Sequence, residues 1–424
     1  MAPLSLWHQK QKAISSGQIS PEASSFSTEP LWTKNFLKVW VLNLALCGWA
    51  FMISAVYPVY IKQLGGTELL VGITAAGFAV TSLVMRPLAG WMLDNKSRSG
   101  LLIWGSASLI VISLLFLLAP LLSIAIALRF ISGFLLSGVG TATNTNACDA
   151  IPQSRFGEGI GMLGLGNTLA TALGPALGLA IIAGRGFPTL FAVSVAVMVL
   201  ATFITRGLSY ATIKRPIYLP GRSKHGLFAL FNADALPASV VTLFASAPYG
   251  GVAVFIVLYG KASGLGSGGL FFILVALGAG CTRLFSGRLA DKKGEQPMVV
   301  LGNGSFLVAL LILLWESSTG YYVSGLFFGF GFGLFTPSMQ AMAVRIVPLE
   351  KRGSASSTFL CAYDIGSGLG GLTAGWLITI WGYRPMFGAL IAFIIISSLI
   401  YALWAAKTPS AFKVYQRARK NPAY

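Results

Sequence analysis

Long apolar runs decide most of what this chain can fold into. Leu101 to Leu122 and Pro385 to Ala406 are two of many, and a helix needs about 20 predominantly apolar residues to cross a bilayer. The sequence is 55% hydrophobic and 10% charged, where soluble domains carry about 25% charged residues. Lipid offers the backbone no hydrogen-bond partners, so each span must satisfy its own as a helix. The expected fold class is therefore an all-α membrane protein. Gly and Pro punctuation divides it into twelve spans over 38–62, 69–92, 101–121, 122–148, 159–183, 187–206, 236–260, 265–288, 298–316, 320–345, 354–381 and 384–406.

These spans fall into two sets of six. Residues 1–37 are polar and Ser-rich and read as a disordered cytoplasmic tail, not as a signal peptide. Residues 38–206 form an N-terminal six-helix bundle and 236–406 a C-terminal one. The stretch 207–235, with Lys214, Arg215, Pro216, Pro220, Arg222 and Lys224, is a basic cytoplasmic linker between them. Residues 407–424 form a basic cytoplasmic tail.

The net charge of +18 does not point to nucleic acid, because its distribution follows the membrane. With both termini inside, Lys62, Arg185, Lys261 and Arg384 fall outside and Arg86, Arg129 and Arg283 fall within spans; all the other Lys and Arg lie at the cytoplasmic face. That is the positive-inside asymmetry of a multi-pass plasma (inner) membrane protein, with the bilayer as its main partner.

Enzyme chemistry finds little to work with. The only histidines are His8 and His225, both in expected cytoplasmic segments. There is no HExxH motif, no Walker loop and no CxxC pair, and the four cysteines (Cys47, Cys148, Cys281, Cys361) sit in or beside apolar spans. No metal site or cofactor is expected. A membrane enzyme or a sensor is the competing class.

A repeat joins the two halves. Arg86, Gly90 and Asp94 stand four residues apart in RPLAGWMLD, and Arg283, Gly287 and Asp291 repeat the spacing in RLFSGRLAD, 197 positions later. Pro152 matches Pro348, Gly133 matches Gly329 and Gly174 matches Gly370, each at an offset of 196. Doubling of this kind in a membrane chain is a transporter signature.

On these motifs residues 38–406 resemble the major facilitator superfamily. GWMLDNKSRSG at Gly90–Gly100 is similar to the family's loop between spans 2 and 3, and Arg129-Phe130-Ile131-Ser132-Gly133 to its span 4 motif. Gly174-Pro175-Ala176-Leu177-Gly178 is similar to the span 5 motif of its drug and metabolite exporters. The resemblance implies two pseudo-symmetric six-helix bundles around a central cavity that opens to one side at a time, in a monomer.

Candidate residues follow. Gly90 lets another helix pack close, Asp94 lies near a helix N-terminus that favours an anion, and Arg98 can bridge to it. The resemblance adds Asp149 as a third member. These residues, with Gly287 and Asp291 in the second copy, are the expected cytoplasmic gate. By the same resemblance Arg129 contributes to proton coupling. Asp364 lies about ten residues into span 11, roughly 15 Å along the helix, near the bilayer midplane and with no sequence neighbour to neutralise it. A carboxylate there can exchange a proton or pair with a cationic substrate. Asp before Gly in span 11 also resembles exporters that include carriers of metal-chelating metabolites. Arg86 and Arg283, about 12 Å inward from their Asp partners, have no assigned role. Asn144, Asn167, Thr168 and Tyr363 are possible cavity residues, and Gly174-Pro175 is expected to bend span 5.

The sequence thus points to a proton-coupled exporter of a small organic molecule, drug or metabolite, working by alternating access. An importer or facilitator on the same fold is the nearest alternative.

Overall fold

The computed structural model describes residues 30–95, 98–118, 121–152, 155–208, 232–345, 347 and 352–407. Of Asp94, Arg98, Gly287 and Asp291 only the helical backbone is described. Most of the linker and both terminal tails lie outside the described residues.

The described chain is helical throughout. The N-terminal half contains α1 (Lys34–Gln63), α2 (Glu68–Asn95), α3 (Arg98–Leu118), α4 (Leu122–Ala150) and the long run Phe156–Arg206. The C-terminal half contains α7 (Leu236–Ala262), α8 (Gly268–Lys293), α9 (Gln296–Leu313), α10 (Ser318–Arg345), α11 (Arg352–Trp381) and α12 (Tyr383–Leu403). Gly184 to Gly186 were expected to form a loop. Instead the run Phe156–Arg206 breaks only at Gly186, at φ 79° and ψ 179°, and we name its portions α5 (156–185) and α6 (187–206). A positive φ is cheap for glycine, so one residue turns the chain. The dihedrals stay helical through Pro175, so the expected bend produces no break there.

Nine helical segments among the described residues are apolar and long enough to span a membrane, Met162–Arg206 being long enough for two passes. α11, which carries Asp364, falls outside this set.

The halves are packed alike. α1 lies on α5 as α7 lies on α11, α2 on α4 as α8 on α10, and α3 on α6 as α9 on α12. The matched glycines sit at matched crossings. A Cβ on Gly133 of α4 would lie 2.7 Å from Phe78 O of α2, and one on Gly329 of α10 would collide with Val275 O of α8. Phe78 and Val275 are themselves 197 positions apart. Gly174 similarly lets α5 approach α1, its Cβ position lying 2.7 Å from Gly48 O. Without a hydrophobic drive between helices in lipid, such close approaches of small residues supply the packing.

Two main crossings join the halves, α2 on α11 and α5 on α8, and α7 adds lesser contacts with α1 and α2. Along the first, a Cβ on Gly72 would sit 2.8 Å from Gly371 O, one on Gly375 would sit 2.6 Å from Glu68 O, and one on Gly368 would sit 2.7 Å from Ala79 Cβ. These contacts occupy the ends of α2 and α11 farthest from the chain termini, so the halves are closed tightly there. At the other end of α2, a Cβ on Gly90 would meet nothing within 4 Å among the described residues. The tight seam among them lies at the opposite end of the helix.

Candidate functional site

The repeated arginines reach across the interface in opposite directions. Arg86 of α2 donates from Nε to Oδ2 of Asp364 on α11 at 2.7 Å, with the two side chains 24% and 16% exposed. Asp364 had no neutralising neighbour in sequence; the fold brings one from the other half. Lone burial of a charge is expensive, and a close ion pair offsets much of that cost. In this conformation the Asp364 carboxylate is engaged by Arg86.

Arg283 of α8 reaches into the N-terminal half. Its Nη1 donates to Gly164 O at 2.8 Å and to Thr168 Oγ1 at 2.7 Å, both on α5. Thr168 Oγ1 in turn donates to Gly164 O at 3.0 Å. The Nε of Arg283 is buried without a partner. No carboxylate among the described residues forms an ion pair with Arg283. Thr168 and Asp364 stand 196 positions apart, the same offset as Gly133 and Gly329. The two arginine contacts are therefore related by the pseudo-symmetry of the halves, with an acid in one and a hydroxyl in the other.

Beside Arg283 is an aromatic wall. Tyr249 of α7 stacks on Phe332 of α10 with centroids 4.8 Å apart, and its ring lies 5.9 Å from that of Tyr363 on α11. Both tyrosines are within electrostatic reach of the Arg283 guanidinium. Tyr363 is anchored through its carbonyl, which accepts from Ser246 Oγ at 3.0 Å. Sequence reasoning found Tyr363 but missed Tyr249, which nothing in its surroundings, APYGG, marks as special.

Arg129 is placed differently from the other two arginines. It is buried inside the N-terminal half, where Nη2 donates to Ser54 Oγ at 2.9 Å. Its guanidinium lies 4.3 Å from the Phe78 ring centroid and 4.9 Å from that of Tyr57. Ring faces attract a cation, so α1 and α2 together hold this charge without a carboxylate, and its Nε has no partner. The arginine does not reach the contact between halves.

The remaining candidates separate. Asn167 accepts from Asn43 Nδ2 at 2.8 Å and from Cys47 Sγ at 3.3 Å, which ties α5 to α1 within one half. Asn144 is exposed on α4, and Asp149 is exposed near its end. The side chains of Asp94, Arg98, Gly287 and Asp291 lie outside what the structure describes, so their expected pairing is not visible here. Among the described residues no group of three or more His, Cys, Asp or Glu is arranged to hold a metal ion.

Two similar halves meeting along α2–α11 and α5–α8 match a known architecture. A family model described as Major Facilitator Superfamily covers residues 39–321 and 238–423. The chain belongs to the major facilitator superfamily. It is a multi-pass membrane transporter and not an enzyme. Among solved structures, a mutant form of the nucleoside transporter NupG is similar in fold, with a TM-score of 0.73 at 12% identity over 87% of this chain and 99% of that one. Two curated relatives bear names that concern efflux. The Staphylopine export protein of Staphylococcus aureus strain Mu50 is 22% identical over 86% of this chain and 95% of the relative. The Multi-drug resistance efflux pump PmrA homolog of Lactococcus lactis strain IL1403 is 25% identical over 75% and 82% respectively. The pseudo-symmetric arginines of this superfamily transporter sit where its two halves meet.

Proposed function

We propose that this transporter exports a small organic molecule against an inward flow of protons, by alternating access. The observation that carries the reading is the ion pair between Arg86 and Asp364, formed across the two halves at 2.7 Å and partly open to solvent. Protonating Asp364 removes the negative charge that holds α11 to Arg86. The pair then falls back to a weaker neutral contact, and the arginine is left uncompensated in a low-dielectric setting. Each protonation state thus favours a different relation of the halves. That is the differential interaction an alternating-access cycle requires.

The groups facing Asp364 are Arg86 from α2 and Cys361 and Tyr363 from its own helix, with Tyr249 of α7 and Arg283 of α8 acting on Tyr363. Among these the carboxylate is the group whose protonation would break the ion pair, since Arg remains charged. Arg129, held between two rings, keeps a fixed charge close to α2 and so biases that helix from within its own half.

Efflux is the favoured direction because two relatives are named for export or efflux. An exported metal-chelating metabolite is the more specific variant, suggested by the resemblance of Asp364 before Gly in span 11 to exporters that include carriers of such metabolites. Import on the same fold is the rival. The termini are assigned to the cytoplasm of a plasma (inner) membrane protein by the distribution of Lys and Arg. On that assignment the tight α2–α11 seam is the outer side, and the chain stands closed to the exterior. Asp94, Arg98 and Asp149, with Gly287 and Asp291, then form the inner gate of a protein working as a monomer.

The test uses inside-out vesicles with an imposed proton gradient and the drug-like dyes of an efflux assay. Wild type is expected to accumulate a dye only with the gradient present. Asp364→Asn should reach the membrane in equal amount yet lose at least about tenfold of that accumulation, because a neutral amide cannot exchange the proton. Its residual flux should show no dependence on pH between 6 and 8. A pH-dependent Asp364→Asn flux equal to that of wild type would remove this carboxylate from coupling.

A further inference from the structure

We propose that the transported molecule is an organic anion whose acidic group docks on Arg283, facing the Tyr249 and Tyr363 wall. This deepens the export reading and rests on it.

Arg86, Arg129 and Arg283 lie within helices of the bundle, and Asp364 is the one acid placed in the middle of a span. Arginine does not deprotonate in proteins, so these positive charges are permanent. Asp364 neutralises Arg86. Arg129 is met by the faces of Tyr57 and Phe78 and by a hydroxyl. Arg283 receives only a carbonyl and a hydroxyl, both on the same nitrogen, Nη1. A charge in the hydrocarbon region is costly, and two neutral acceptors return only part of that cost.

Pseudo-symmetry then indicates the missing partner. Arg86 and Arg283 occupy equivalent positions of the repeat, 197 residues apart, and their contacts Asp364 and Thr168 occupy equivalent positions 196 apart. The protein supplies an acid for one arginine and withholds it from the other. A hydroxyl in its place leaves the guanidinium charge available, with Nη2 free of any hydrogen bond among the described residues. An incoming carboxylate or phosphate would take toward Arg283 the part that Asp364 takes toward Arg86. Such charge-assisted bonds are about twice as strong as neutral ones. A hydrophobic cation would meet repulsion at the same place. The stacked Tyr249, Phe332 and the nearby Tyr363 ring offer an apolar face for the rest of the ligand.

The experiment reconstitutes the full chain in proteoliposomes and compares an anionic dye, carboxyfluorescein, with a cationic dye, ethidium, under an imposed proton gradient. Wild type should move carboxyfluorescein and not ethidium. Thr168→Asp supplies the acid that the symmetry lacks. It should fold at least as stably as wild type, judged by thermal melting in detergent, yet lose at least about tenfold of the carboxyfluorescein flux because Arg283 is already neutralised. Arg283→Lys keeps the charge and should retain more flux than Arg283→Met. Movement of ethidium alone, or carboxyfluorescein flux unchanged in both Thr168→Asp and Arg283→Met, overturns the anion inference and leaves proton-driven transport standing. If neither dye moves, both readings fall.

Discussion

The two main crossings between the halves are related by one repeat, yet they differ in both charge and fit. At α2–α11 an arginine meets an acid at 2.7 Å. At α5–α8 the equivalent arginine meets a threonine at 2.7 Å. Gly72 and Gly269 stand 197 positions apart, yet their surroundings are unlike. A Cβ on Gly72 would lie 2.8 Å from the backbone oxygen of Gly371, while one on Gly269 would lie 3.7 Å from Ala176 Cα, an ordinary contact. The α2–α11 crossing thus has its charges paired and is closed backbone to backbone, and the α5–α8 crossing holds an arginine without an acid and is looser. In the proposed cycle one is the responsive latch and the other the ligand-facing seam. A strictly symmetric transporter would have two competing latches and no uncompensated charge for a substrate.

Exchanging the charged partner is the strongest way to break this contrast. Asp364→Thr alone leaves Arg86 without a carboxylate, and the expected loss is on the order of 2 kcal/mol, below the 3–5 kcal/mol typical of a fully buried pair because this one is partly exposed. Combining it with Thr168→Asp moves the ion pair to Arg283 and should recover most of the stability, read as melting temperature in detergent. Flux should not recover, since latch and ligand site have changed places. If the double variant melts no higher than the single one, the two contacts are not equivalent.

A smaller effect separates the two seams by fit. Gly72→Ala should force α2 and α11 apart, with overpacking of the kind that costs about 1–3 kcal/mol, whereas Gly269→Ala should be nearly silent. The check is labelling of a cysteine placed at Thr67, beyond the seam, by an impermeant maleimide. Labelling should rise with Gly72→Ala and stay at the wild-type level with Gly269→Ala. Equal labelling in both variants would mean that the seams are equally tight.

The smallest effect is expected at the other end of α2. A methyl on Gly90 meets nothing within 4 Å, so Gly90→Ala should leave melting within about 0.5 kcal/mol of wild type, as for substitutions away from packed contacts. A transport defect at unchanged stability would locate the expected close approach of Gly90 in the opposite conformation, where the termini side closes.

Much of this was legible before any coordinates. The apolar runs required helices, the arginine-glycine-aspartate repeat required two related halves, and the span motifs matched the family to which the chain belongs. Even the equivalence of Thr168 with Asp364 was present as an offset of 196, the signal that would have identified the two arginine contacts as a pair. Other features left no local trace. Tyr249 looks like any aromatic in an apolar span, and the Phe78 ring that covers Arg129 looks like ordinary core.

What the sequence determined by itself was the number and character of the helices and their duplication, because bilayer solvation and backbone hydrogen bonding act on each span separately. Tertiary structure alone decided which charge meets which. Arg86 and Asp364 are 278 positions apart, and nothing in either span encodes the other. Their pairing depends on α2 and α11 approaching closely enough at Gly72, Gly368, Gly371 and Gly375 for a guanidinium to reach a carboxylate. Coulomb energy in a low-dielectric interior falls with distance and is strongest in direct contact. The residue-level chemistry therefore follows from helix packing, and the same packing left Arg283 with a hydroxyl in place of an acid.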